Sequence, residues 1–213
     1  MDNIHKLFNE FEEHLLNDDM PSEYFNNKLA TGIFFEIYPF TLLGNLIKTE
    51  QEPKHHPEGN VWIHTLLVVD ECAKVRAKSE DARTFMWAAL LHDLGKAPTT
   101  SIRKGKITSY NHDKVGRELS IEFLQACTDD VKLIEKVSKL VRWHMQTLFV
   151  VKDLPFAEIK SMLSEVSLDE IALLSVCDRL GRGELTDKKI QEERTNIEIF
   201  IKKCKEHAER NPY

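Results

Sequence analysis

Apolar positions recur every three or four residues along most of the chain and rarely alternate, which predicts helices rather than strands. Ile4, Leu7, Phe8, Phe11 and Leu15 outline an amphipathic helix over residues 3–17, stopped by Asn17-Asp18-Asp19 and Pro21, and a second helical stretch starts near Ser22. Between residues 31 and 48 the apolar residues are dense and broken by Pro39, a pattern of short buried helices around a bend. Residues 49–59 form a polar loop carrying His55, His56 and Glu58. Trp62, Ile63, Leu66, Leu67, Val69, Cys72 and Ala73 then cover more than one face of a largely buried helix over 60–77, with His64 inside the apolar pattern. Ser79-Glu80-Asp81 signals a helix from about residue 81 to 94, with Gly95 as its C-terminal stop and the small pair Ala88 and Ala89 open to a close neighbour.

Residues 96–110 read as a basic loop or a small hairpin about Lys104-Gly105, leading to Asn111 as an N-cap. His112 opens a helix whose apolar face runs through Val115, Leu119 and Phe123. In the next helix, about 130–144, Ile134, Val137 and Val141 form a stripe that ends on His144, so this histidine points inward. Pro155 is expected to open a short helix with Phe156, Ile159 and Leu163. Ser167 and Glu170 form a capping box for a helix to Leu180, in which Ile171, Leu174 and Asp178 share a face. Gly181 and Gly183 end it, and a charged helix follows over about 187–207. With no repeat and no convincing strand alternation, the predicted class is all-α.

The 213 residues suffice for one domain with a real core, expected over 1–213: a core at about 55–185, an N-terminal helical extension at about 1–50 and a C-terminal helix at about 187–210. A net charge of −6 argues against a broad nucleic-acid surface but leaves room for a local basic patch. Cys72, Cys127, Cys177 and Cys204 lack any C-x-x-C spacing and read as reduced, packed thiols. With no signal-peptide profile and no apolar run of membrane-crossing length, a cytoplasmic protein with no membrane partner is expected.

Four expected helices thus each bring a metal-capable side chain to a core-facing position or a helix end: His64, His92 with Asp93, His144 and Asp178, with His112 on a fifth. Any one histidine on an apolar stripe is ordinarily a hydrogen-bonded core residue, and Asp178 alone can cap a helix or pair with Arg179 or Arg142. Several together need a common partner, and a divalent cation is one, because imidazole and carboxylate are the mixed donors that suit first-row metals. Trp62, Trp87 and Trp143 are read as core anchors; His5, His14, His55 and His207 are assigned nothing.

A His, an adjacent His-Asp and a distant Asp, matched by His64, His92-Asp93 and Asp178, resemble the HD-domain metal-dependent phosphohydrolases over about residues 60–183. The run from His56 to Thr65, HPEGNVWIHT, and the run from Ala89 to Lys96, ALLHDLGK, look like the HD domain of bacterial CCA-adding enzymes, the multifunctional tRNA nucleotidyltransferases. The Gly-Ser motif and Asp-x-Asp pair of a nucleotidyltransferase head are missing, so CCA addition is not expected.

The resemblance implies an HD-type helical bundle in which His64, His92, Asp93 and Asp178 bind one divalent ion. His112 and His144 stand in the order of the extra ligands of two-metal members, with Asp93 then bridging the pair. Mn, Fe, Ni, Co, Zn and Mg all remain open, although this many imidazoles disfavours Mg as the tightest occupant. The implied activity is phosphohydrolysis of a small phosphorylated nucleotide or an RNA-end phosphate, such as a 2′,3′-cyclic phosphate, by metal-activated water without a Ser or Cys nucleophile.

Lys96 is the candidate catalytic cation beside Asp93, and Lys96, Arg182, Glu58 and Arg103 are candidate substrate contacts, with Lys104 and Lys106 weaker candidates and His56 a positioning group. Each has a plainer role open to it: Lys96 against a helix dipole, Arg182 capping carbonyls, Glu58 and His56 stabilising a turn, and the loop cations simply solvated. The rival class is a non-catalytic module that binds a nucleotide, tRNA or protein around a structural metal.

Overall fold

The computed structural model describes residues 2–183 and 185–211. Among them the chain runs α1 (Asp2–Asn17), α2 (Pro21–Ala30), α3 (Ile33–Glu36), α4 (Thr41–Ile47), α5 (Val61–Val75), α6 (Ala82–Leu91), α7 (Lys96–Thr99), β1 (Thr100–Arg103), β2 (Lys106–Ser109), α8 (His112–Cys127), α9 (Val131–Trp143), α10 (Gln146–Val151), α11 (Ile159–Glu165), α12 (Leu168–Leu180) and α13 (Asp187–Arg210). The architecture is a helical bundle with one antiparallel hairpin, in which Thr100 faces Ser109 and Arg103 faces Lys106. Its turn residues Lys104 and Gly105 both have positive φ, the backbone that a two-residue hairpin loop requires. No helix among the described residues is long and apolar enough to cross a membrane.

Helix α6 is the central rod: every side chain from Thr84 to Leu91 is buried, as expected of a helix that is apolar all round. α5 and α9 pack against it, α8 lies along α9, and α12 lies along α5. α1 and α2 cover α6 and α5 from outside. They do so with aromatic side chains: Phe8 stacks on Trp87 with centroids 4.6 Å apart, and Phe11 meets Phe25, Phe34 and Phe40 edge-on. α13 braces α10, α11 and α12 from the other side.

The starts of α5, α6 and α9 are capped as the side chains suggest: Asn60, Asp81 and Asp130 accept the backbone N–H of Ile63, Thr84 and Leu133. Other punctuation works differently. Pro21 does not stop a helix but occupies the first position of α2, where its missing N–H costs nothing. Asn111 lies in the left-handed region and makes no side-chain cap to α8. Ser167 makes none to α12: its hydroxyl donates instead to Glu80 Oε1, and Glu170, the other half of the expected capping box, accepts from Ser79 Oγ and the Glu80 N–H. The helix expected at Pro155 begins instead at Ile159, after a turn, and α10 is an additional short helix.

Gly95 is the most informative difference. It is not a left-handed cap, since its φ is −67° and the chain continues into α7. Its lack of a side chain lets α8 approach: a Cβ there would sit 2.0 Å from the His112 carbonyl oxygen and 2.5 Å from the Gly116 nitrogen. Gly181 does the same where α12 ends against α5, its position for a Cβ lying 2.7 Å from Val68. Both contacts bring ligand-capable side chains within reach of one another.

Candidate metal centre

Helix α6 ends one residue short of His92, and the turn 92–95 aims His92 and Asp93 into the space enclosed by α5, α8, α9 and α12. Asp93 is the hub, with its two oxygens facing different partners. Oδ2 lies 3.2 Å from His92 Nε2 and 3.7 Å from His64 Nε2, while Oδ1 lies 3.6 Å from His112 Nε2 and 3.8 Å from His144 Nε2. Asp178 Oδ1 stands 3.0 Å from His64 Nε2. His64, His92, Asp93, His112, His144 and Asp178, from distant parts of the chain, are thus brought together and are all buried.

The four imidazoles are oriented alike. Nδ1 of His64, His92, His112 and His144 donates to the carbonyl oxygen of Gly181, Ala89, Ser109 and Val141 respectively, at 2.7–3.0 Å. The proton is therefore on Nδ1, and each Nε2 lone pair faces inward, the arrangement typical of metal-ligating histidine. For three of the four the acceptor lies three residues earlier, so local helix or turn geometry sets the ring; for His64 it is the close approach of Gly181.

The donor set fits a cation on this evidence. His92 Nε2 and both oxygens of Asp93 are buried without a hydrogen-bond partner, a costly state for polar atoms that a positive ion removes. His112 Nε2 and His144 Nε2 are 3.2 Å apart with their protons committed elsewhere, so they too require a positive centre. Three groups have ligand atoms close enough to share an ion: His56, Glu58 and His64, which is the less buried one, and two fully buried clusters joined by Asp93, namely His64, His92 and Asp93, and Asp93, His112 and His144.

Charge follows the same geometry. Burial opposes ionisation of Asp93, yet His92 and Lys96 hold its carboxyl well below the usual range. Burial likewise opposes ionisation of Asp178, which Arg182 and His64 hold low. Burial, with the neighbouring His112 and His92 rings, pushes His144 down to about 3.

The remaining expected residues divide. Lys96 is buried at the cleft, its Nζ donating to Gln51 Oε1 at 2.7 Å and lying 2.7 Å from Asp93 Oδ2 without hydrogen-bond alignment to it. Arg182 lines the cleft 3.6 Å from Asp178 Oδ2. Glu58 is not placed on the cleft wall. Its side chain is enclosed behind His64, with Oε1 accepting from His56 Nδ1 at 2.8 Å and standing 3.0 Å from His64 Nδ1, so it orients that ring. Arg103 is not brought to the centre either; it lies over the Tyr110 ring, 4.9 Å from its centroid.

Sequence reasoning missed Gln51 and Arg179, which also line the cleft. Gln51 lies in a loop with no periodicity to betray it, whereas Arg179, adjacent to Asp178 on a core helix, was detectable from its position. The cleft holds about 690 Å³ and also takes in His55, which carried no assigned role.

Residues 61–183 match the HD domain. The chain belongs to the HD-domain family. Its matched region begins with α5, which carries His64, and ends just beyond Asp178, so all six buried donors fall inside the HD domain. Among curated relatives, it is 35% identical over 81 residues to the multifunctional CCA protein of Actinobacillus pleuropneumoniae, 29% over 136 residues to that of Thioalkalivibrio sulfidiphilus, and 30% over 145 residues to that of Alkalilimnicola ehrlichii. These alignments cover 38%, 62% and 66% of this chain but only 19%, 30% and 32% of those proteins.

The HD domain without metal should lose stability towards acid in two stages. Burial pulls His56 down to about 4 and, with the neighbouring rings, His144 to about 3, from an ordinary 6.5. Their folded values are depressed, as burial also depresses His112, whereas His92, despite its burial, is raised by Asp93. With three histidines shifted down and one up, the unfolded chain binds more protons and stability declines as pH falls below about 6.5. Glu58, held at about 2 by His56 and His64 despite burial, against an ordinary 4.5, adds a second decline below about 4.5. Thermal melts of chelator-treated protein between pH 8 and 2.5 should show this fall, and a flat profile would contradict it.

Proposed function

We propose that this HD domain is a metal-dependent phosphohydrolase that cleaves a phosphoester of a small nucleotide or an RNA end, the 2′,3′-cyclic phosphate being the first substrate to test. The observation that carries the reading is Asp93, whose two buried oxygens lack hydrogen-bond partners and each face a pair of inward-pointing imidazoles at one end of a cleft, Oδ2 also lying 2.7 Å from the Lys96 ammonium. Bound at such donors, divalent ions supply Lewis acidity to phosphoryl oxygens and lower the pKa of water towards neutrality. His64, His92 and Asp93, with Asp178 adjoining, would hold one ion; Asp93, His112 and His144 would hold a second. Mixed imidazole and carboxylate donors favour a first-row transition metal over Mg or Ca.

The chain's own cations complete the site. Gln51 fixes Lys96 so that its ammonium stays at the cleft rather than following the flexible side chain into solvent. Lys96 and Arg182 are the groups placed to neutralise the charge that develops on a phosphoryl group. The four buried cysteines do not line the cleft, and Ser109, which does, has its hydroxyl bonded to Thr100 Oγ1 at 2.7 Å, which supports water as the nucleophile. The partial similarity to multifunctional CCA proteins, with the resemblance of the HPEGNVWIHT and ALLHDLGK runs to the HD domain of CCA-adding enzymes, supports an RNA-end substrate.

The test is elemental analysis of freshly purified protein, then a screen of linear and 2′,3′-cyclic nucleotides with each candidate metal restored. Hydrolysis of at least one substrate is expected, and Lys96→Met should lower kcat about 100-fold, the scale for losing one charge-stabilising group, while metal content is retained. Full metal loading with no hydrolysis across the panel would overturn the proposal in favour of a nucleotide-, tRNA- or protein-binding module.

A further inference from the structure

The cleft has two unlike halves. Its inner end is ionic, with Asp93 and Lys96 buried and Arg179 and Arg182 beside them. Its outer wall is formed by Leu148, Phe149, Leu154 and Phe156, with Tyr110 at the rim. Phe156 is 57% exposed and Tyr110 58%, whereas Phe85 and Phe123 in the core are fully enclosed. Phe149 and Phe156 form a pair with centroids 5.6 Å apart and planes at 62°.

We propose that this outer wall is a stacking platform for a nucleobase whose phosphate lies at the metal centre. The phosphate end rests on the phosphohydrolase reading; the base end rests on the wall itself. The cleft juxtaposes cations with exposed aromatic rings, the charge and shape complement of a nucleotide, and its volume is in the range of small-ligand pockets. The rings offer π-faces and no hydrogen-bonding groups from Phe149 or Phe156, so the platform accepts any base with little discrimination. Arg103 acts here only indirectly, by backing the Tyr110 ring.

The wall is also built rather than loose. Gln146 is fully buried and grips the C-terminal end of the turn twice, its Nε2 donating to the Phe156 carbonyl at 3.3 Å and its Oε1 accepting the Glu158 N–H at 2.8 Å. The Leu154 N–H closes the turn onto the Phe149 carbonyl at 2.8 Å. From α13, Lys203 donates to the Val150 carbonyl at 3.1 Å and to Asp153 Oδ1 at 2.6 Å. Pinning a surface turn from two directions holds its rings in place before a ligand arrives, which lowers the entropy lost on binding.

The experiment uses the full chain with Mn²⁺ and the phosphonate analogues of adenosine 5′-monophosphate, cytidine 5′-monophosphate and ribose 5-phosphate, whose C–P bond is not hydrolysed. Calorimetry should find both nucleotide analogues bound at least tenfold more tightly than the ribose analogue, the ratio that about 1.4 kcal/mol of stacking supplies. Phe149→Ala and Phe156→Ala should bring that ratio towards one, and Phe149→Trp should preserve it. Phe156 is exposed enough that its variant reports on binding even if Phe149→Ala is unstable.

Equal affinity for the nucleotide and ribose analogues would overturn the platform, as would hexyl phosphonate binding as tightly as the adenosine analogue. Phenylalanine-dependent selectivity in a protein that hydrolyses no phosphoester would support the platform while defeating the phosphohydrolase reading. Phosphoester turnover without that selectivity would do the reverse.

Discussion

Replacing Asp93 with Asn should drop the metal content to well below one ion per chain and reduce phosphoester hydrolysis by about 10³-fold or more. The substitution keeps the size of the side chain but removes its charge and turns one oxygen into an amide nitrogen that is no ligand. Because Oδ2 faces His64 and His92 while Oδ1 faces His112 and His144, one change disables both clusters. His144→Ala, by contrast, removes a donor from one side only and should leave the ion on the His64 side. Elemental analysis of the two variants, with circular dichroism to confirm folding, checks this. Full metal retention in Asp93→Asn would remove Asp93 as the hub, and loss of all metal in His144→Ala would argue for a single shared ion.

Gly95→Ala should destabilise the protein by about 3 kcal/mol, at the upper end of the cost of overpacking, and lower Tm by roughly 6–12 °C for a chain of this size. The cost arises because the new methyl group meets backbone: the His112 carbonyl oxygen at 2.0 Å and the Gly116 nitrogen at 2.5 Å, neither of which can rotate away. Relief requires α8 to move from the turn after α6, carrying His112 away from Asp93. The variant should therefore also weaken metal binding on the His112 and His144 side. Gly116→Ala meets the Val141 side chain at 3.2 Å, the His92 carbonyl oxygen at 3.4 Å and the Gly95 nitrogen at 3.5 Å, all farther than at Gly95, so it should cost less. Thermal melts of both variants decide the order, and equal melting would show that α8 is free to shift.

Gly95 also shows where reading the sequence stops short. A glycine after an apolar helix suggests a left-handed cap, and only the position of α8, set by residues seventeen and more further on, reveals that the glycine is there to admit another backbone. Ser167 and Glu170 fail as a capping box for a similar reason: Ser79 and Glu80, remote in sequence, compete successfully for the carboxylate. α10 escaped notice because its apolar run from Leu148 to Val151 is too short to display a period, and with it went the aromatic wall of the cleft.

The helical class and the identity of the buried donors were legible from the sequence because both depend on local chemistry. Apolar spacing places His64, His144 and Asp178 on core-facing stripes, and a charged or polar group there demands a partner whatever the detailed packing. Helix crossings decide what spacing cannot: Asp93 divides its oxygens between two histidine pairs, Gly181 fixes the His64 ring, Gln51 holds Lys96, Glu58 withdraws behind His64, and Arg103 remains outside with Tyr110. These are distances between segments far apart in the chain, set by where close-packed helices allow backbones to approach.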